Sequence, residues 1–183
     1  MSNVKLAPTR ILKVIPSDYC NIPYPTIASV DQNGSDTNAT SVNTLENNNN
    51  PFQVQNSSGD WINIVNPGDV IYFEGVNLAA TIAEVLSPSV IVLNADILNV
   101  GDSYTYTIYQ NSLFPNQGCQ LFFSGLVDDA YDIRITSAGQ DSDATGASDG
   151  YRIRKVQPQL FPLQIVKLWS EGTSEGFDCY AMW

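Results

Sequence analysis

The best-spaced set of possible ligands in this chain is Asp141-Ser142-Asp143-Ala144-Thr145-Gly146, which puts side-chain oxygens at alternate positions ahead of a glycine. That is how a calcium loop begins, with Asp141, Asp143 and Thr145 as the first three ligands and the glycine making the sharp turn. The second half of the pattern is missing, because Arg152 stands where such a loop needs a bidentate Glu. The motif therefore reads as a solvated hairpin loop, with Asp141, Asp143 and Thr145 as a weak metal candidate. No other cofactor site is expected.

Catalytic chemistry is narrowed further by an absence: the chain has no histidine. The usual general base at neutral pH, the Ser-His-Asp and Cys-His arrangements and every imidazole metal ligand are excluded together. A pair of carboxylates could still cleave a glycosidic bond, but among nineteen acidic residues some pair always falls at a suitable separation. Such a pair is uninformative without a cleft to perturb it, and the chain is expected not to be an enzyme. Aromatic residues are the remaining candidates, including Trp61, Tyr72, Phe73, Tyr104, Tyr106, Trp169 and Trp183. Stacked aromatics bind sugars, yet they also fill β cores and anchor interfaces, which is the expectation here.

The elements that carry these residues are short. Residues 66–109 organise the chain: Pro67-Gly68-Asp69 turns into Val70–Phe73, Glu74–Asn77 turns back into Leu78–Leu86, and Ser87-Pro88-Ser89 turns into Val90–Leu93. Tyr104–Tyr109 follows, β-branched or aromatic throughout. Strands joined this tightly pair with their sequence neighbours, since a parallel crossover needs a dozen or more residues. Further strands are predicted at Arg10–Ile15, Phe52–Gln55, Gly118–Gly125, Tyr131–Thr136, Tyr151–Val156, Leu160–Trp169 and Phe177–Trp183, with Trp61–Val65 leading into the organising stretch. No window holds a helical repeat. The expected fold is all-β: an antiparallel β-sandwich with a small inserted or tandem β-barrel and an extended N-terminal arm. The expected division places strand, arm and Asn-rich loop at 1–58, the small barrel at 59–110, and at 111–183 a sandwich portion completed by the N-terminal strand. Pro23 and Pro25 force Tyr19–Ile27 into an extended path, and the polar stretch 31–50 reads as a loop.

Composition bounds the rest. A chain of 183 residues that is 43% apolar buries about 70% of its unfolded surface without help from disulfide or metal. A net charge of −11 argues against nucleic acid as a partner, because phosphate binding draws on released counterions. Cys20, Cys119 and Cys179 are odd in number and far apart, as buried reduced thiols would be. The N-terminus lacks the apolar core of a signal peptide and no run reaches the ~20 apolar residues of a membrane span. Synthesis in a cytosol, solubility and no membrane partner are expected. The glycosylation-like triplets at Asn33, Asn38 and Asn56 are chance matches in an Asn-rich chain.

Several stretches carry a resemblance. Gln120–Gly125, Tyr131–Gly139, Leu160–Thr173 and the terminal Tyr180-Ala181-Met182-Trp183 resemble small virion structural proteins of tailed phages, above all marine and cyanobacterial ones. In those proteins a strand ending in a T-x-A-G turn precedes an F-x-P-[LV]-x-[VI]-x-[KR]-[VL] strand, a G-T turn and a terminal aromatic. The organising stretch resembles their middle part, with GD-V-[IV]-Y, AT and L-x-A-D-I strands in that order, and Pro16-Ser17-Asp18 resembles their N-terminal turn. This chain departs from the pattern in two turns, the acidic Glu171–Gly176 and the longer 141–150 loop. The resemblance implies a capsid decoration (cement) protein at the virion surface, commonly a homotrimer, whose partners are the major capsid protein and copies of itself. Contacts are expected from Tyr19, Ile22, Tyr24 and Ile27 of the arm and from Trp169 and Trp183. The alternatives are a tail, baseplate or neck component, and a carbohydrate-binding adhesin.

Overall fold

The computed structural model describes residues 10–25, 27–29, 38–42, 52–56, 61–99, 102–111, 118–125, 130–139 and 150–183. The chain is all-β. Its strands are β1 (Ile11–Lys13), β2 (Ile27–Ser29), β3 (Asn38–Val42), β4 (Gln53–Gln55), β5 (Val70–Phe73), β6 (Leu78–Ser87) and β7 (Val90–Leu93). There follow β8 (Ser103–Thr105), β9 (Thr107–Tyr109), β10 (Cys119–Ser124), β11 (Tyr131–Ser137), β12 (Tyr151–Val156), β13 (Leu160–Leu168) and β14 (Asp178–Met182). They form two antiparallel sheets, one in the order β1-β14-β10-β13-β11-β12 and the other β2-β9-β5-β6-β7-β4-β3-β8.

The turns of the organising stretch come from residue chemistry. Gly68 takes a φ of 97° behind Pro67, and the Asp69 amide bonds the Asn66 carbonyl at 3.1 Å, so proline presets the first central angle and glycine supplies the second. The Asp69 carboxylate, fully buried, then accepts from the Asn66 and Asn111 amides at 2.9 and 3.1 Å. Asn77 closes the next turn at a φ of 56°, which Asn tolerates better than most residues. Between these turns all four residues of β5 are buried. Ile71 and Phe73 point into the core of the eight-stranded sheet with Trp61, Ile82, Ile91 and Ile108. Val70 and Tyr72 point the other way, into a seam where Ala79 and Tyr109 meet Leu12, Ile15 and Cys20 from the N-terminal segment. A β5 covered on both faces is why its sequence is a continuous apolar run.

Two expectations are corrected here. The small barrel placed over 59–110 is not closed, and its sheet takes in β2, β3 and β4 from residues 27–55. β7 would otherwise leave an open edge; β4 pairs along it and β3 along β4. The stretch after β7, from Ser103 to Tyr109, breaks at Tyr106, so that β8 pairs with β3 while β9 pairs with β5. The two ends of the sheet thus meet at a bend rather than in an unbroken ladder. Tyr106 is held there by the buried Asn56 amide at 2.7 Å and by an edge-on contact with Trp61. Second, the 31–50 stretch is not all loop, because Asn38–Val42 is paired on both sides; tertiary pairing overrides polar composition. Trp61–Asn63, which leads into the organising stretch, is a 3₁₀ turn, with the Ile64 and Val65 amides returning to the Trp61 carbonyl. Residues 14–22 lie on their own chain, with the Val14, Ser17 and Ile22 amides bonding the Cys179, Leu168 and Val166 carbonyls.

In the six-stranded sheet, β1 pairs with β14, the last strand of the chain. Its core gathers Leu121, Phe123, Ile133, Ile135, Ile165 and Ala181, among others. Alternation along β10 and β11 puts one face in and one out: Leu121, Phe123, Tyr131, Ile133 and Ile135 are buried, with Gln120, Phe122, Asp132 and Arg134 between them on the outer face.

The seam between the sheets is pinned by residues 17–20. The Ser17 hydroxyl, buried, donates to the Ala79 carbonyl of β6 at 2.6 Å, while its amide bonds the Leu168 carbonyl of β13. The Tyr19 carbonyl accepts from Thr81 Oγ1 at 3.0 Å and Asn94 Nδ2 at 2.7 Å. Asp18 receives the Ser170 amide and hydroxyl and the Glu171 amide. One short segment therefore satisfies both sheets.

Candidate interaction surface

Outside the cores, the six-stranded sheet presents a side-chain row of unusual character. Residues opposite one another in neighbouring strands share a face, and the register runs Lys13, Tyr180, Phe122, Leu160 across β1, β14, β10 and β13. The adjacent row is Ile11, Met182, Gln120. Phe122 is 40% exposed, Leu160 48% and Ile11 60%. Isolated exposed apolar residues are ordinary, but Phe122 and Leu160 stand side by side with Tyr180 next to them, which makes a contiguous apolar stripe. The stripe arises because β10 alternates: Leu121 and Phe123 face the core, so Phe122 must face out.

A second feature lies further along the same sheet. The Lys167 ammonium sits 3.7 Å and the Arg134 guanidinium 4.4 Å from the Trp169 ring centre, so the indole is flanked by two cations. The indole nitrogen donates to Thr136 Oγ1 at 3.0 Å. Lys167 also donates to the Asp18 carbonyl at 2.8 Å. Burial pushes its ammonium pKa down, Cys20 and Asp18 oppose that, and Arg134 adds to it. Arg134 pairs with Glu171 at 3.3 Å.

Between the sheets opens a cleft of about 590 Å³ whose walls include Lys13, Pro16, Asn77, Thr173, Glu175 and Phe177. Lys13 and Asp178 form an ion pair on its rim at 2.7 Å, and that pairing raises the Lys13 pKa. Much of the polar lining is already engaged: the Thr173 and Ser174 hydroxyls accept from the Arg134 and Asp132 amides.

The residues singled out in the sequence are dispersed. Tyr24 and Trp183 come together edge-on at 5.4 Å, with Arg10 over the Tyr24 ring at 5.1 Å. Ile22 packs on the six-stranded core and its amide bonds the Val166 carbonyl. Trp183 spans that core and the seam. Tyr19 keeps 46% of its surface exposed although its carbonyl is held. Ile27 opens β2, paired with Tyr109. Trp169 stands apart with its cations. All six thus make contacts within their own chain. Asp141, Asp143 and Thr145 lie outside the described residues. Among the described residues no three His, Cys, Asp or Glu side chains gather as a metal site would require. The thiols are free and buried, and burial pushes Cys20 up to about 11 and Cys119 up to about 12.

Two features escaped sequence reasoning. The exposure of Phe122 and Leu160 was signalled by the alternation of Leu121-Phe122-Phe123, which forces one phenylalanine outward. The flanking of Trp169 by Arg134 and Lys167 depends on the β11–β13 register and has no local signature. Comparisons with protein families, curated proteins and solved structures return no match to this chain.

Proposed function

We propose that this chain is a non-enzymatic virion structural protein of the tailed-phage type, and that it acts as a capsid decoration protein binding the assembled shell. The observation that carries the reading is the outward stripe of Phe122, Leu160 and Tyr180 on an otherwise well-satisfied sheet. Leaving such area in water forgoes roughly 25 cal/mol for each Å² that a partner could cover. The resemblance of Gln120–Gly125 and Leu160–Thr173 to virion proteins involves the same two strands, and the lack of histidine favours binding over catalysis. A protein that binds only the assembled lattice stabilises it by mass action, and repeated copies multiply a modest contact.

Peptides of this protein, quantified against the major capsid protein in purified virions, test the reading. A ratio near a simple fraction of the capsid count supports a lattice site. A much smaller ratio moves the protein to the tail, baseplate or neck, and absence from virions refutes the reading. Phe122→Ser with Leu160→Ser is expected to strip it from particles while leaving the isolated fold intact.

A further inference from the structure

The positive charge of this acidic chain is confined. Between Lys13 and Arg134 there is no Lys, Arg or His, so the eight-stranded sheet is built without one cation. Glu84 on β6, Glu74 in the turn before it, and Asp96 and Asp102 in the connection from β7 to β8 are all exposed. Residues 150–169 reverse this, with Arg152, Arg154, Lys155 and Lys167 and no acid. Arg152, Arg154 and Lys155 are exposed on β12, which ends its sheet. Asp141, Asp143 and Asp149 precede them in sequence, outside the described residues.

The geometry gathers these cations. Arg152 stands directly opposite Arg134 in the β11–β12 ladder, so two like charges share one face. Like charges in that relation destabilise a sheet. Arg134 is compensated in part by Trp169, by Glu171 and by Asp132 two residues before it on the same face, whose carboxylate also accepts the Lys155 amide, and the Arg152 guanidinium rests against Gly172. Edge strands use Lys and Arg to discourage indiscriminate pairing, but that purpose does not require cations to be withheld from the whole of the other sheet.

We propose that copies of this chain associate head to tail, with the basic β11–β12–β13 face of one seated on the acidic eight-stranded sheet of the next. The two surfaces differ, so the contact is heterologous and repeats around a ring or along a filament according to whether the rotation closes. Opposed surfaces of this kind steer approach and set orientation. The inference does not rest on the virion reading, since it concerns the isolated protein.

Sedimentation velocity on the full chain at high micromolar concentration tests it. In about 0.1 M salt, where charges act over about 10 Å, wild type is expected to sediment as an oligomer; in about 1 M salt, where the range falls to about 3 Å, as the 20.0 kDa monomer. Two charge-reversed variants follow, R152E/R154E/K155E and E74K/E84K/D96K, all at exposed positions, each checked for native circular dichroism. Each alone should bind itself at least about tenfold more weakly, since one lost ion pair of 1.4 kcal/mol already gives that factor. Mixed together they restore opposite charges across the contact, and assembly should return. A monomeric wild type at low salt, assembly indifferent to salt, or a mixture no better than its components would overturn the proposal.

Discussion

Ser17→Ala strikes the point where the two sheets are tied. The Ser17 hydroxyl is buried; it donates to the Ala79 carbonyl at 2.6 Å and accepts the Tyr19 amide at 3.0 Å. Each bond is worth about 1 kcal/mol net, so losing both should cost about 2 kcal/mol. For a chain of this size that is a fall in Tm of about 4–8 °C. Tyr72→Phe at the same seam should act in the opposite sense. The Tyr72 hydroxyl is buried without a hydrogen bond. Removing an orphaned hydroxyl should return about 1 kcal/mol, a rise of about 2–4 °C. Thermal melts followed by circular dichroism, with urea denaturation to confirm an unchanged m-value, measure both. If Ser17→Ala melts with wild type, the seam is not held by that side chain and the account of residues 17–20 as the tie between sheets fails.

Three other outcomes are expected. Stability should fall in alkali: Cys20 and Cys119 titrate from an ordinary 9.0 to about 11 and about 12 in the fold, and Tyr109 rises to about 12, because burial disfavours their anions. Raised folded values mean the contribution is intact below pH 9 and lost as pH climbs towards 11–12; Cys20 alone should cost about 2 kcal/mol by pH 11. Melts from pH 7 to 11 check this, and Cys20→Ala should flatten the curve. Gly150→Ala should destabilise by about 2 kcal/mol, since Gly150 has a φ of 60° and a Cβ there would lie 2.5 Å from Trp169 Nε1; a red-shifted tryptophan emission would report the displaced indole. Asp18→Ala should cost about 1–2 kcal/mol by freeing the Ser170 and Glu171 amides, read as faster hydrogen exchange at those two positions.

Much of this fold is local. Pro67-Gly68 and Asn77 demand their turns, and the β-branched runs between them demand strands, because φ preferences and two-residue alternation act within a few residues. Alternation also assigned one face of β11 to Tyr131, Ile133 and Ile135, all of them buried. What needed the tertiary structure was everything set by distant partners. Asn38–Val42 is a strand because β4 and β8 flank it, and Trp61–Asn63 is not one because Trp61 must reach the core near Tyr106. Pro23 and Pro25 argue in the sequence for an extended path through residues 19–27. Only the Ser17, Asp18 and Tyr19 contacts with residues far along the chain turned that segment inward, since no local term separates an arm docked on its own chain from one docked on another. The candidate surface divides likewise. The run of residues 14–133 without a cation is plain in the sequence. The meeting of Arg134 with Arg152, and of Phe122 with Leu160, is a matter of strand register, which long-range pairing decides.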